Sequence, residues 1–381
     1  MAKQRRRPRG DGSVYHDGET WVAALRIDGR FRKRRAPGRQ AAEAKLKELQ
    51  ELRDRQIRVG DSAQCFSDWL NAWYGQICDT KAIKPRTQEH YRSMIERYIL
   101  PQLGAMRLCD IRPDHIQQAL LAIRDDIRDY TAYDGARTAR GVADVLKQAL
   151  QLAEDRRILL HNPYRGILLP KTEPKPIVPL DDEQVRALLT AASGTRLDAL
   201  WHIYALLGLR RGEGLGLMWA DLDWRAATLR IERQVHVVDG RPVLAAPKTA
   251  SGTRLLPMPQ ALLACLHTHW QRQQDERRRV GWREHGLLFA SSVGTPLWPR
   301  NVDREFYSLR DAAKLPTTMT LHALRHTTAT LLDEVGASEA LKAGILGHKT
   351  QTITQRYTHA RLAAMRTVLD ALSMRVLRLA A

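Results

Sequence analysis

Four prolines fall within ten residues of this 381-residue chain: Pro170, Pro174, Pro176 and Pro179. Each fixes its own φ and removes a backbone N–H donor, so the run can neither continue a helix nor join a central strand. It reads as a semi-rigid spacer, expected over residues 164–180. Directly after it, Asp181 and Gln184 have the spacing of a helix N-terminal capping box. That marks residues 181–381 as the second large unit.

Upstream, residues 61–163 show helical periodicity. Phe66, Trp69, Leu70, Trp73 and Tyr74 follow i, i+3, i+4, i+7, i+8, the stripe of an amphipathic helix, and are expected in a core. Further helices are expected at about 86–99, stopping at Pro101, at about 113–128 and at about 134–158. Residues 13–36 read instead as three short strands, with Asp28–Gly29 as a hairpin signal, and a helix follows at about 39–57. This module of residues 1–60 is too small to bury a large core.

Beyond the spacer, helices are expected at about 182–192 and 196–208. A β region follows. The segments ATLRIERQVHVV and RPVLAAP flank Asp239–Gly240, and TRLLPMP forms a strand after Ser251–Gly252. More helices are expected at about 259–279, 300–314, 322–335, 338–345, 351–357 and 360–379. The fold class is thus multidomain and mainly α with small β-sheets: a three-stranded sheet plus helix, a helical bundle, and an α+β domain.

Charge narrows the partner. The chain holds 61 Lys+Arg against 42 Asp+Glu, a net charge of +19. Residues 1–60 hold 17 basic and 8 acidic residues, residues 61–176 hold 17 and 15, and residues 177–381 hold 27 and 19. A basic excess gathered at one end is the electrostatic footprint of nucleic-acid binding. In the N-terminal module, Trp21, Arg32, Lys33, Arg34 and Arg35 are the residues expected to meet that partner.

Other classes recede. The composition, 27% charged and 44% hydrophobic, excludes a wholly disordered chain. Cys65, Cys78, Cys109 and Cys265 show no CxxC spacing, so neither a disulfide framework nor a cysteine zinc site is expected. The run Cys265, His267, His269 does not converge on one helix face and reads as structural. MAKQRRRPRG lacks the apolar region of a secretory signal, and ALWHIYALLGL is too short to span a bilayer. No GxxxxGK[ST] loop or HExxH is present, so neither nucleotide hydrolysis nor that zinc chemistry is indicated. A reduced, cytoplasmic, DNA-associated protein without membrane contact, metal or cofactor is expected.

Three clusters in the second unit carry chemistry. In GLRRGEGLGLMWADLDW, Arg210 and Glu213 lie three apart, so on a helix they share a face and the carboxylate can orient the guanidinium. In LHALRHTTAT, His322 and Arg325 have the same spacing and can address one anion. In ILGHKTQTITQRYTHA, His348 precedes Tyr357 by nine residues, and Gly347 can end one helix before another begins.

Together, Arg…HxxR…LGH…Y resembles the tyrosine recombinase family, the phage integrases. PKTASGTRLLPMP, with Lys248, resembles that family's β-hairpin lysine turn and lies between Arg210 and the HxxR. The resemblance implies an arm-site-binding module at 1–60, a SAM-like core-site-binding domain at 61–163 and a catalytic domain at 181–381. It implies Tyr357 as nucleophile, forming a 3′-phosphotyrosine. Arg210 and Arg325 are implied as phosphate clamps, His348 as a further donor, His322 as base or phosphate-positioning group, Lys248 as acid to the leaving 5′ oxygen, and Glu213 as support for Arg210. It also implies double-stranded DNA with core and arm sites, a homo-tetramer in synapsis, and an accessory DNA-bending protein or excision factor. A type IB topoisomerase-like relaxing activity and a non-catalytic DNA-binding regulator are the alternatives.

Overall fold

The computed structural model describes residues 11–27, 30–54, 63–80, 83–131, 135–172, 178–238, 240–246, 252–348 and 359–378. Its two units, Met1–Pro174 and Lys175–Ala381, divide inside the proline segment.

At the start of the first unit, β1 (Ser13–His16), β2 (Trp21–Ile27) and β3 (Arg30–Ala36) form an antiparallel sheet in that order. Its register pairs Tyr15 with Val22, Ala24 with Lys33 and Leu25 with Arg32. Side chains alternate between faces, and residues directly opposite one another share a face. Val14, Ala23, Leu25 and Ile27 therefore lie together, packed on Leu46 and Leu49 of α1 (Arg39–Asp54). Tyr15, Arg26, Phe31, Lys33 and Arg35 fall on the uncovered face. The Asp28–Gly29 hairpin expectation lies outside the described residues.

The helical part of this unit comprises α2 (Phe66–Thr80), α3 (Pro85–Met94), α4 (Leu100–Leu103), α5 (Pro113–Tyr130) and α6 (Ala136–Asp155). Phe66, Trp69, Leu70 and Trp73 are buried against Ile99, Ile116, Leu120, Leu146 and Leu150, while Tyr74 packs at the edge of this core. The helix expected to stop at Pro101 instead continues. A π-helical turn at Ile95–Ile99 leads into α4, which contains the proline. The wider turn changes the backbone spacing just where a proline ring would meet the carbonyl four residues back. The proline segment is tied down at its start: Leu168 N donates to Gln117 Oε1 at 2.8 Å and Arg140 Nε to Pro170 O at 2.9 Å.

In the second unit, α7 (Asp182–Ala192) opens with the expected capping box: Gln184 N donates to Asp181 Oδ1 at 2.8 Å, and Asp181 N bonds Gln184 Oε1 at 3.1 Å. The next helix, α8 (Asp198–Leu207), is apolar almost all round and runs through the core, with Trp201 and Tyr204 fully buried. After it come α9 (Arg211–Leu215), β4 (Leu222–Asp223), β5 (Thr228–Ile231), β6 (Gln234–Val238), β7 (Arg241–Ala245) and β8 (Arg254–Pro257). ATLRIERQVHVV is therefore two strands. β5 joins β4 and β8, whereas β6 pairs with β7 in a separate ribbon. The break falls at Arg233, whose Nη1 lies 2.6 Å from both Asp221 oxygens.

Five further helices follow among the described residues: α10 (Gln260–Arg277), α11 (Pro299–Ala312), α12 (Leu321–Glu334), α13 (Glu339–Leu346) and α14 (His359–Leu377). The helix expected at about 351–357 lies outside the described residues. The last helix packs on its own domain. Met365, Leu369, Leu372 and Val376 join the core that holds α8, and Arg375 pairs with Asp182 at 2.7 Å and Glu334 at 2.5 Å.

Candidate active site

The C-terminal end of α13 organises the site. A helix leaves its last carbonyls without intrahelical partners and carries partial negative charge there, so cations are favoured. Three successive carbonyls hold three different arginines. Arg254 Nε donates to Ile345 O at 2.8 Å, Arg325 Nη2 to Leu346 O at 2.5 Å and Arg210 Nη2 to Gly347 O at 3.2 Å. Gly347 closes the helix at φ +71, a left-handed conformation that suits glycine.

A second glycine lets the parts meet. Gly208 ends α8 at φ +58, and a Cβ there would lie 2.7 Å from Leu346 Cδ2 and 3.1 Å from Thr328 Cβ. Its carbonyl also accepts from Arg325 Nη1 at 2.7 Å. The absent side chain thus permits the close approach of α8, α12 and α13, and the backbone helps orient Arg325.

Arg210 and Glu213 are joined, though differently from a shared helix face. Arg210 sits just before α9 with extended backbone, and Glu213 is the third helical residue. Glu213 Oε1 accepts from Arg210 Nη1 at 2.6 Å, and Oε2 from Arg210 N at 3.0 Å. Oε2 also accepts from Arg254 Nη2 at 2.9 Å. Arg254 is 4% exposed and Glu213 1%. Sequence reading missed Arg254. Its signal is positional: strand alternation places it on the face of buried Leu256, where an arginine requires a partner.

The electrostatics are unbalanced toward positive. Three guanidinium groups meet a single carboxylate among the described residues. Burial, then the charge of Arg210, pushes Arg325 down to about 10, so it stays cationic at neutral pH. Burial also raises Glu213, but Arg254 and Arg210 outweigh this and hold it below the usual carboxylate range. His322 is lowered by burial and by neighbouring His326, whose Nε2 lies 3.3 Å from its own. His348 is lowered by burial and by Arg325 and Arg210. Both shifts favour the neutral imidazole, which can donate one hydrogen bond and accept another. Clustered guanidinium groups with surplus positive charge are what an oxyanion site needs.

Lys248 and Tyr357 lie outside the described residues. Of the N-terminal candidates, Lys33 and Arg35 occupy the uncovered sheet face, with Arg35 3.5 Å from Asp17. By register, Arg32 and Arg34 fall on the α1 side of the sheet, where Arg32 is half-buried and Arg34 stays exposed. Trp21 is on that same face, half-buried, with the Arg39 guanidinium 5.9 Å from its ring.

The Cys265, His267, His269 run does not converge. His269 Nε2 bonds Leu288 O at 2.8 Å, and His267 stacks on Trp270. Cys265 instead meets α8: the donor atoms of Asp198, His202 and Cys265 lie within 4.8 Å of one another, a set that could hold a metal ion. Burial opposes charge on His202, but the hydrogen bond to Asp198, with Cys265 beside it, pushes it up to about 10. A protonated imidazole paired with a carboxylate at 3.1 Å accounts for the cluster as an ion pair within α8, with Cys265 of α10 beside it.

Comparison with known proteins bears on the family and the fold. The phage integrase family matches residues 179–363, and the phage integrase N-terminal SAM-like domain matches residues 65–121. A tyrosine recombinase XerC of Mesorhizobium japonicum is 30% identical over 311 residues, which cover 75% of this chain and 89% of that protein. An integrase of Streptomyces ambofaciens is 28% identical over 373 residues, 93% of each chain. Among solved structures, a lambda integrase tetramer bound to a Holliday junction shares the fold with a TM-score of 0.57, at 20% identity over 93% of this chain and 100% of that one. Four arginine and histidine positions converging on one helix end, and these relatives, lead to one conclusion: the chain belongs to the phage integrase family of tyrosine recombinases, enzymes of site-specific DNA recombination.

Proposed function

We propose that this recombinase cleaves and rejoins double-stranded DNA through a 3′-phosphotyrosine on Tyr357. The observation that carries the reading is the arginine cluster: Arg210, Arg254 and Arg325 held by consecutive carbonyls with one carboxylate among them. In the proposed step the Tyr357 oxygen bonds to phosphorus and the bond to the 5′ oxygen breaks. An ordinary tyrosine has a pKa of about 10, so its proton must leave during attack. His322, held neutral, accepts it, and Lys248 protonates the leaving 5′ oxygen. Arg210 and Arg325 clamp the non-bridging oxygens, with His348 adding a donor. Phosphodiester energy is conserved in the protein–DNA bond, so no nucleotide is consumed.

Exchange between two duplexes requires four strand cleavages, and each chain brings one Tyr357, which supports a homo-tetramer in synapsis. The module at 1–60 holds arm-site DNA and residues 61–163 hold the core site. On the module, the uncovered face with Phe31, Lys33 and Arg35 is the proposed contact. Phe31 is 69% exposed there, which no packing requirement explains. An accessory bending protein or excision factor brings arm and core sites together. No helix among the described residues is long and apolar enough to cross a membrane.

Incubating the protein with a nicked suicide core site should trap a covalent adduct that Tyr357→Phe abolishes. An adduct retained in full by Tyr357→Phe would refute the mechanism.

A further inference from the structure

We infer that Arg254 is a positioning residue that balances the buried Glu213 carboxylate and so keeps Arg210 available to the scissile phosphate. The inference rests on the phosphoryl-transfer reading above and goes beyond it by adding a residue.

Glu213 is almost fully buried, so its charge needs compensation within the protein. Arg210 is the obvious partner, and an arginine facing a free carboxylate tends to close into a two-pronged pair. The geometry prevents that. Arg254 Nη2 and the Arg210 backbone N–H both take Oε2, leaving only Oε1 for the Arg210 guanidinium. Arg254 itself is unavailable to DNA. All three of its nitrogens are engaged, by Glu213, Ile345 O and Gly252 O, the last at 3.0 Å. The Arg210 side chain is 42% exposed, the condition of a group that meets a ligand.

The charge count agrees. A phosphodiester carries one negative charge, and the five-coordinate transition state gathers two. Three guanidinium groups less one carboxylate leave two positive charges. With Arg254 neutralising Glu213, those two reside on Arg210 and Arg325. Without Arg254, Glu213 draws Arg210 into the closed pair and one of them is cancelled.

The test compares single-turnover cleavage of the suicide core site by the full-length chain and by Arg254→Met, Arg254→Lys, Glu213→Gln and the double variant Arg254→Met/Glu213→Gln. Adduct amplitude reports the competent fraction, so the rate constant is read per competent molecule. Arg254→Met should slow cleavage about 100-fold, the scale of one lost electrostatic contributor. Arg254→Lys, which keeps the charge, should stay within about tenfold of the parent. Removing the unbalanced carboxylate in the double variant should recover at least about tenfold over Arg254→Met. A double variant no faster than Arg254→Met, or Arg254→Lys as slow as Arg254→Met, overturns the inference. Should Arg254→Met not fold, the Arg254→Lys result decides alone. Failure of the parent to form any adduct would instead overturn the phosphotyrosine reading itself.

Discussion

Lys33 and Arg35 on the N-terminal sheet and Arg210, Arg254 and Arg325 in the catalytic domain are similar cations under opposite conditions. The first pair is exposed, and Arg35 keeps one loose ion pair with Asp17. Surface ion pairs of this kind contribute at most about 1 kcal/mol. Arg254 and Arg325 are each nearly buried, and all three arginines are held by carbonyls of one helix end. Buried cations are expensive to desolvate, so a fold keeps them where their position matters. The difference separates two tasks. On the proposed reading, exposed charge attracts DNA and is screened by salt, whereas buried, oriented charge stabilises a reacting phosphate.

The largest effect that can break this contrast comes from Arg325→Ala. It removes a proposed phosphate clamp and leaves the Gly208 and Leu346 carbonyls without this donor. Cleavage should fall by about 10³ in single-turnover rate. A loss under tenfold would show that burial of Arg325 serves folding alone.

Gly208→Ala should act on the site through the backbone. It imposes a side chain at φ +58 with its Cβ 2.7 Å from Leu346 Cδ2. Destabilisation of about 1–3 kcal/mol is expected, measured by denaturant midpoint, together with slower cleavage per folded molecule. Leu372→Ala, fully buried on the last helix, supplies the control. It should cost about 2–5 kcal/mol without slowing cleavage per folded molecule.

The imidazoles give a pH prediction. His322 and His348 both titrate below the ordinary value because of burial and nearby cations. Below about pH 6.5 the unfolded chain binds protons that the folded one resists. Their contribution to stability is therefore fully present above that pH and is lost as pH falls from there through their lower folded-state values. Unfolding midpoints at neutral and mildly acid pH measure this, and His348→Gln should flatten the dependence.

The smallest effect sharpens the sheet. Lys33→Gln with Arg35→Gln should reduce the salt slope of arm-site binding by about 2, roughly one per phosphate contact. Arg32→Gln with Arg34→Gln, on the helix side by register, should reduce it less. Equal reductions would remove the proposed distinction between faces.

Much of this was legible in the residues because it is local. The prolines mark the division between units, the alternation of β1 to β3 sets their faces, and the stripe from Phe66 to Trp73 is a core face. Arg210, Arg325 and His348 stand out by spacing, but only the family resemblance gives them roles. Arg254 was not, because its partners are Glu213, 41 positions away, and Ile345, 91 positions away. Neither leaves a trace in local periodicity. The same holds for α13, whose terminal carbonyls reveal their role only once three arginines reach them. The π turn before Pro101 was hidden because hydrophobic spacing does not separate it from an ordinary helical turn.

On the proposed mechanism, buried Arg325 answers charge on the scissile phosphate. A core site whose scissile phosphate is replaced by a neutral methylphosphonate tests it most directly, by single-turnover cleavage with the parent and with Arg325→Ala. If the arginine acts on that charge, its loss should slow the methylphosphonate far less than the phosphate, by at least about tenfold less. Equal losses on the two substrates would contradict the account.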